Sequence, residues 1–514
     1  MSRIKKTLLN ARVNLIFYTV NLFLSFYSRK FFIITLGTTF LGLTGTISNL
    51  LGFLNLTELG VGTAITYLLF KPIANNNRYE INNILSLLRF YYQKIGLYII
   101  IGGIILSAFF PLIFKNSPIN LYIVYTSFYV YLIISFLDYY FNYLQLLLVA
   151  DQKNYLKTTY TGSANILKVL LQIIALSYFE NKIIWFLIIE VLFSSIKILI
   201  IKKIIIKEYK WLKLNTTFKT ADNFNTEIKI KTRQIFSHQI AGYILTQTDQ
   251  LLIFAFTSLS MVTYYANYTL VLGRIISLID QFLNSSYASV GNLIASGNKD
   301  HIKKVFNEMI ILRYWISGII IFSAYHFVPP IIKLWLGDKF ILSNNIFILM
   351  LINNYIMMTR QPIDIFLNTS GIYRDTWAPW AEAIINLIVS IVAGYYFGIA
   401  GILFGTFISM LFIVVLWKPY LLYSEGFNEG VKAHWMNLFV YFSTFIVCFV
   451  LISYGLQHFS FQYFSNIYVN LFFTALVSSS LFSLIYFLIL YILEDAMRSL
   501  TKRFMPLLIK IINE

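Results

Sequence analysis

Charged side chains inside otherwise apolar segments are the residues of this chain that could do chemistry. Glu58 lies in such a segment, residues 55–74, where glycines interrupt an apolar run. In lipid an ionisable side chain costs roughly 2.5 kcal/mol or more, so it is kept where it faces a helix-bundle interior or a water-filled path. A residue of this kind is therefore a candidate for moving a solute or an ion across a membrane.

Two sets of such residues differ in the ligand that they would take. Basic groups would bind an anionic substrate, because a guanidinium holds phosphate oxygens bidentately. Acidic groups would line a cavity or couple transport to a proton or a sodium ion. The basic candidates are Arg29, Lys30, Arg274 and Arg360. The acidic candidates are Glu58, Asp138, Asp249, Asp280 and Asp364.

Structural roles compete with these functional ones. Arg29 and Lys30 could snorkel from a helix end to the membrane interface, since their stems are long. Arg274 could form an ion pair with Asp249 or Asp280. The acids could equally act as helix caps or as interhelical hydrogen-bond acceptors.

Arg360 and Asp364 are one helical turn apart beside Pro362, so they could form a simple ion pair at a kink. Glu190 and Glu382 belong to no charged stripe, and we interpret both as structural.

Helical periodicity places most of the candidates on polar faces of their helices. In the first predicted helix Asn14, Tyr18, Asn21 and Ser25 recur at steps of three and four and lead to Arg29. Five further predicted helices carry similar stripes. Their charged members are Glu58, Asp138, Asp249, Arg274 with Asp280, and Arg360 with Asp364. Polar stripes can serve only to form hydrogen bonds between helices. Charges on six of them, however, predict a hydrated central cavity between two lobes.

The composition predicts the elements that position these residues. The chain is 58% hydrophobic, 18% aromatic and 12% charged, with a mean hydropathy of +0.71, which indicates an all-α polytopic membrane protein. A run of about 20 apolar residues crosses a bilayer core. About fourteen such windows predict transmembrane helices, at 13–36, 41–70, 91–114, 121–149, 157–179, 183–206, 234–256, 261–295, 309–332, 342–368, 377–397, 399–421, 436–456 and 467–492.

The basic residues predict the orientation in the membrane. If the amino terminus is cytoplasmic, the external connections contain only Lys115, Lys182, Lys333 and Lys339, and 30 of the 40 lysines and arginines fall on the cytoplasmic side. We therefore predict a multi-pass protein of the cell membrane with both termini cytoplasmic. The net charge of +18 then reflects this bias and contact with anionic lipid, and not nucleic acid.

The two halves of the chain repeat with an offset of 221 positions. Ala74 then aligns with Ala295, and Asn77 with Asn298. Six helices separate equivalent points, an even number, so the repeats are parallel and related by an axis along the membrane normal. We predict an N-lobe at 1–206, a basic cytoplasmic linker at 207–233, a C-lobe at 234–430, and an accessory helix pair with a cytoplasmic tail at 431–514.

Several of these segments resemble the polysaccharide flippases, the O-antigen type transporters of the multidrug/oligosaccharidyl-lipid/polysaccharide exporter superfamily. The matching residues are Ser28-Arg29-Lys30, Glu58 to Ile65, Lys71 to Ala74, Ala150 to Tyr155, Thr248-Asp249-Gln250 and Tyr264 to Tyr268. The resemblance extends over about residues 13–430. It implies a MATE-like fold of two rocking lobes that carries an undecaprenyl-diphosphate-linked oligosaccharide from the cytoplasmic to the external leaflet, for O-antigen or capsule-like polysaccharide.

The sequence shows no catalytic set. Its five histidines stand in separate elements without metal-ligand spacing, so we expect no enzyme, no metal and no cofactor. Two alternatives stay open. A multidrug-type cation exporter should be dominated by an acidic, aromatic pocket, and a membrane polysaccharide polymerase or glycosyltransferase should have a large external loop with paired acids.

Overall fold

The computed structural model describes residues 3–55, 61–214, 242–244, 247–283, 287–295, 297–372, 374–458 and 464–513. Within these ranges almost every residue is helical and none is in a strand. The predicted all-α class is therefore confirmed. Contacts divide the chain into two compact units, Met1–Thr263 and Tyr264–Glu514, which are called unit 1 and unit 2 below.

Unit 1 is built from long apolar helices, most of them separated by short breaks. They are α1 (Arg3–Leu36), α2 (Thr38–Leu54), α3 (Val61–Ala74), α4 (Arg78–Ser107), α5 (Phe110–Ile113), α6 (Leu121–Phe141), α7 (Gln145–Ala150), α8 (Asn154–Tyr178), α9 (Lys182–Glu208) and α10 (247–256).

Unit 2 has the same kind of architecture, and its first helix begins at the end of unit 1. Its helices are α11 (Leu259–Leu283), α12 (Tyr287–Ala295), α13 (Lys299–Leu336), α14 (Asn344–Thr359), α15 (Gln361–Thr369), α16 (Ala378–Phe397), α17 (Ile399–Phe427), α18 (Lys432–His458), α19 (Ile467–Leu493) and α20 (Asp495–Asn513). Within α17, Leu411–Trp417 and Leu422–Phe427 are π-helical.

The predicted apolar windows coincide with these helices or with pairs of them, as far as the structure describes the chain. Nine described helices are long and apolar enough to cross a membrane. A tenth span arises if α1 and α2, which meet at an angle of 116°, are taken as one. Gly37 makes this bend with a φ of +85°, a conformation that a residue with a Cβ rarely adopts.

The repeat predicted from the 221-residue offset has a local structural counterpart. The Asn77 side chain caps α4 by accepting a hydrogen bond from the Glu80 amide at 3.2 Å, and Asn298 caps α13 by accepting one from the His301 amide at 3.1 Å. The residue before each cap, Asn76 or Gly297, has a positive φ. The same turn therefore starts an equivalent long helix in each unit.

Small residues bring α16 and α17 close together in unit 2. A Cβ on Gly401 would lie 2.0 Å from the Ala393 carbonyl oxygen, and one on Gly405 would lie 2.2 Å from the Ser390 hydroxyl oxygen. Spaced four apart, these glycines let two backbones approach, as small residues do between membrane helices. This packing fixes α16 and α17 where both contribute charged side chains to one cluster.

Candidate functional site

Four charged side chains meet in unit 2, and they are called the C-terminal cluster. Arg360 Nε donates to Asp364 Oδ2 at 2.7 Å, and Lys418 Nζ donates to Asp364 Oδ1 at 2.5 Å. Glu382 Oε1 lies 4.0 Å from an Arg360 nitrogen. Two basic and two acidic side chains are thus grouped together. Arg360 is thus in the ion pair that the sequence offered as its structural role, and its binding of substrate stays a prediction.

A proline explains where this cluster forms. Arg360 ends α14, and Pro362 stands in the first turn of α15, where its missing amide proton costs least. The chain therefore restarts as a new helix with Asp364 in its first turn, one turn beyond Arg360. At this position Asp364 also accepts a hydrogen bond from Lys418 of α17.

Lys418 comes directly after the π-helical stretch Leu411–Trp417. A π-helix inserts extra residues into a turn and rotates the rest of the helix about its axis, and such bulges are frequent at functional sites. In this chain the rotation directs Lys418 at Asp364, and its side chain is only 16% exposed. Apolar periodicity gave no sign of the shift, so Lys418 was not among the predicted site residues.

Arg313 is a second residue that the sequence did not single out. It is buried in α13, donates from Nε to the Met358 carbonyl oxygen at 2.5 Å, and forms an ion pair with Asp280. Met358 lies four residues before Pro362, whose missing amide would have been its helical donor. Asp280 is therefore paired with Arg313. Because Pro362 has no amide proton, the Met358 carbonyl oxygen is available to accept from Arg313 and hold it in place.

In unit 1, Arg29 and Lys30 lie on α1, a short distance before the bend at Gly37. Arg29 is half-buried and donates to the Thr263 carbonyl oxygen over 3.4 Å, whereas Lys30 is exposed. The Thr263 hydroxyl donates to the Thr38 carbonyl oxygen at 2.7 Å. One residue at the start of α11 thus links Arg29 to the first turn after the bend.

A charged group on α8 and α9, called the N-terminal cluster, was also missed. Lys168 Nζ donates to both oxygens of Glu190, at 2.9 and 3.0 Å, and the buried Gln172 donates to Glu190 Oε1 at 3.0 Å. Lys197 and Tyr131 are further ionisable neighbours. Lys168 and Glu190 are each eleven residues from position 179 in the short α8–α9 connection. In two antiparallel helices, positions equally far from the connection lie side by side. This equal spacing was the sequence signal that could have predicted the pair.

The other predicted residues lie at separate places. Asp138 is exposed on α6, with Lys157 and Lys197 close enough to attract it. Asp249 is buried in α10. Arg274 is half-buried on α11, and its pairing with Asp249 or Asp280 stays a prediction. Glu58 lies outside the residues that the structure describes. Over the described residues, no group of three or more His, Cys, Asp or Glu could hold a metal ion.

Two of the segments that carried the family resemblance meet at one end of unit 1. They form a cleft of about 530 Å³, which is lined by Phe70, Lys71, Ile73 and Ala74 and by Ala150 to Gln152. Beside it, Lys153 contacts Asp151 and Glu208, each at 3.0 Å, and Tyr209 donates to Asp151 at 2.8 Å. Burial opposes the charge on Lys153, but the hydrogen bonds to Glu208 and Asp151 outweigh it and raise the pKa of Lys153. Burial also raises the pKa of Tyr209.

No protein-family model and no curated protein sequence matches this chain. Solved structures do. The lipid II flippase MurJ, in an inward closed conformation, aligns with 93% of this chain and 98% of its own at a TM-score of 0.65 and 17% identity. The chain therefore shares its fold with that structure.

Two MATE transporters share the fold over less of the chain. An inward-facing MATE family transporter of the MOP superfamily covers 78% of this chain and 93% of its own, with a TM-score of 0.56 and 14% identity. A mutant of the Vibrio cholerae MATE transporter VcmN covers 83% and 99%, with a TM-score of 0.54 and 15% identity. At such identities the likeness shows the fold, which is that of multi-pass membrane transporters.

Proposed function

We propose that this chain is a flippase that moves an undecaprenyl-diphosphate-linked oligosaccharide from the cytoplasmic to the external leaflet of the cell membrane. The observation that carries the proposal is the extent of the likeness to lipid II flippase. That protein aligns with 93% of the chain, against 78% and 83% for the two MATE transporters. The sequence resemblance to polysaccharide flippases supports the same class of cargo, for synthesis of a surface polysaccharide.

The basic residues of α1 and α11 suit a diphosphate. Arg29 is half-buried and Lys30 is exposed beside it, while Arg274 is half-buried on α11. The bond from Arg29 to the Thr263 carbonyl oxygen is long, at 3.4 Å. A phosphate oxygen would accept a shorter, charge-assisted bond of about 2.8 Å. Arg29 would therefore gain by exchanging the carbonyl for the cargo.

Binding of the cargo at Arg29 would change the contacts at the bend between α1 and α2. Thr263 presents its carbonyl oxygen to Arg29 and its hydroxyl to Thr38, and Ser260 shares hydrogen bonds with Thr38 and Thr39 at 3.1 and 3.3 Å. When Arg29 turns from Thr263 to a phosphate, these contacts change together. We infer that this linkage couples cargo binding to the helix movement that alternating access requires.

Flipping of a fluorescent lipid-linked oligosaccharide in reconstituted vesicles tests the proposal. Arg29→Gln and Arg274→Gln should each lower the rate about tenfold to hundredfold, because each removes a charge-assisted contact to the diphosphate. Arg78→Gln is the matched control, since Arg78 is exposed at the start of α4. If both test variants flip the lipid as fast as the wild type, the two arginines are structural.

A multidrug-type cation exporter is the second candidate, favoured by the fold shared with two MATE transporters. The same vesicles distinguish the two functions when they are loaded with a cationic dye such as ethidium. Gradient-driven dye export without lipid flipping would replace the flippase proposal. A polymerase or glycosyltransferase would instead elongate the glycan, which mass spectrometry of the recovered lipid would detect.

We further propose that a proton or sodium gradient acts through Asp249, which is buried in α10. Asp249→Asn keeps the shape of the side chain and removes its charge. This variant should still bind the lipid-linked cargo but transport it at a rate that no longer depends on the gradient. Gradient dependence equal to that of the wild type would leave Asp249 as an ordinary hydrogen-bond acceptor.

A further inference from the structure

The last helix, α20, is amphipathic and comes directly after a membrane-spanning helix. Span α19 ends at Leu493, and α20 begins at Asp495. The apolar residues of α20 recur at steps of three and four, at Met497, Leu500, Phe504, Leu507, Leu508 and Ile511. Its basic residues are Arg498, Lys502, Arg503 and Lys510, against a single acid, Asp495. A basic amphipathic helix of this kind lies in the membrane interface and does not span the bilayer.

A buried carboxylate holds α20 against α13. Glu308 is only 2% exposed. Its Oε1 accepts from the Ser499 hydroxyl at 2.6 Å, and its Oε2 accepts from Arg503 Nη1 at 3.1 Å. Met497, also on α20, is fully buried. Both oxygens of Glu308 are thus occupied by α20, so this helix has a defined position beside α13.

The docking region of α13 lies near the membrane surface. With 38 residues, α13 is about 57 Å long, nearly twice the hydrocarbon core of roughly 30 Å, so part of it extends beyond the bilayer. Glu308 lies near the beginning of that helix, and α20 starts where α19 has just ended. Two independent features therefore place the docked helix at the level of the headgroups.

Other charged side chains of α20, beside this contact, remain accessible to the surroundings. The side chain of Arg498 is 43% exposed, and its pair with Asp495 is a surface pair of little energy. Lys502 is exposed, as are Lys299 and Lys304 near the start of α13. An exposed basic residue beside an anionic membrane strengthens binding about fivefold.

We propose that α20 is an interfacial anchor whose Arg498 and Lys502 bind the phosphates of anionic phospholipids, with Glu308 fixing the anchor to α13. The proposal does not depend on the cargo that the chain transports. On this proposal the charge of the surrounding lipid influences unit 2, because the lipid-binding helix is attached to the membrane-spanning α13 by a buried contact.

Native mass spectrometry of the full-length protein tests this, with phosphatidylglycerol titrated against phosphatidylcholine. Arg498→Gln/Lys502→Gln should weaken phosphatidylglycerol binding about twentyfold or more and leave phosphatidylcholine binding unchanged. Both side chains are exposed, so the variant should fold, which its melting temperature checks. Lys115→Gln/Lys182→Gln is the control, because it removes two exposed charges from unit 1.

Three outcomes would overturn the proposal. Unchanged phosphatidylglycerol binding in Arg498→Gln/Lys502→Gln would show that α20 does not bind the lipid. An equal loss in the control would reduce the effect to net charge. Loss of undecaprenyl-diphosphate binding with phosphatidylglycerol binding intact would assign the surface to the cargo. The anchor itself is tested by Glu308→Gln, which should speed amide hydrogen exchange in residues 495–503.

Discussion

The two charged clusters are built in different ways. In the N-terminal cluster, Lys168 and Glu190 lie on continuous helices joined by a short connection, and both side chains are 14% exposed. In the C-terminal cluster, Arg360 and Asp364 flank the break between α14 and α15, and Lys418 lies just after a π-helical stretch. In the first, one hydrogen-bonded pair joins a lysine to a carboxylate, with an amide beside it and Lys197 as a further charged neighbour. The second is a network in which one carboxylate serves two cations from different helices.

This difference determines what each cluster can tolerate. A single pair can be removed whole, and apolar side chains can then fill its place. A network cannot be simplified in this way, because removing the Arg360–Asp364 pair leaves Lys418 without its carboxylate. Continuous helices also give the first cluster a rigid frame, whereas the second depends on a proline break and a π-helix. The C-terminal cluster is therefore the more sensitive to substitution and the better placed to change with conformation.

The largest effect is expected for Asp364→Asn. The substitution leaves Arg360 and Lys418 without the carboxylate that accepts from both, at 2.7 and 2.5 Å. Breaking a buried pair on one side costs about 3–5 kcal/mol, so the free energy of unfolding should fall by about this amount. Denaturant titration in mixed micelles measures the change.

Asp338→Asn is the matched control, because its carboxylate also pairs with a lysine, Lys333, at 2.8 Å. That pair is 58% and 73% exposed, and surface pairs contribute less than about 1 kcal/mol. Equal losses in the two variants would refute the difference in burial on which the first prediction rests.

Replacement of a whole ion pair by apolar residues should change the free energy of unfolding differently in the two clusters. Glu190→Leu alone leaves Lys168 unpaired and should cost about 3 kcal/mol, but Lys168→Met/Glu190→Leu should come within about 1 kcal/mol of the wild type. Gln172 retains a second acceptor, the Phe186 carbonyl oxygen at 3.4 Å. The equivalent change, Arg360→Met/Asp364→Leu, should not recover, since Lys418 loses its hydrogen-bond acceptor. Recovery in both clusters would contradict the network interpretation.

The extent to which the sequence predicted these features depends on how local each one is. Apolar length predicted the helices, and one-turn spacing beside Pro362 predicted the Arg360–Asp364 pair. The Lys168–Glu190 pair was accessible from symmetry about a short connection, although the charges were not matched in that way. Lys418 and Arg313 were not accessible, because a π-helix and a freed carbonyl oxygen, respectively, select their partners. No periodicity in their own helices records either cause.

A double-mutant cycle tests how the proline sets up Arg313. In the wild type the Met358 carbonyl oxygen accepts from Arg313 at 2.5 Å. Pro362→Ala should supply a competing amide donor from the helix itself. Arg313→Met should then cost about 1 kcal/mol less in the Pro362→Ala background than in the wild type, because the carbonyl is no longer left without a donor. Strict additivity of the two changes would show that the proline does not act through Met358.

The last prediction concerns the pH dependence of the charges around Lys153, outside the membrane-spanning helices of unit 1. The pKa of Lys153 is raised in the folded state, because hydrogen bonds to Glu208 and Asp151 outweigh the opposing effect of burial. Such a lysine stabilises the fold fully below its unfolded pKa of 10.5, and the contribution is lost as the pH rises through the higher folded value. Tyr209 acts in the same direction, since burial raises its pKa and favours its neutral form.

Lys153→Met should therefore destabilise the protein by about 1–2 kcal/mol at every pH from 7 to 9, and the difference from the wild type should shrink only above about pH 10.5. Thermal unfolding in detergent across this range measures the difference. A gap that closed between pH 7 and 9 would mean that the lysine loses its proton more easily in the fold, and that burial, not the two carboxylates, controls it.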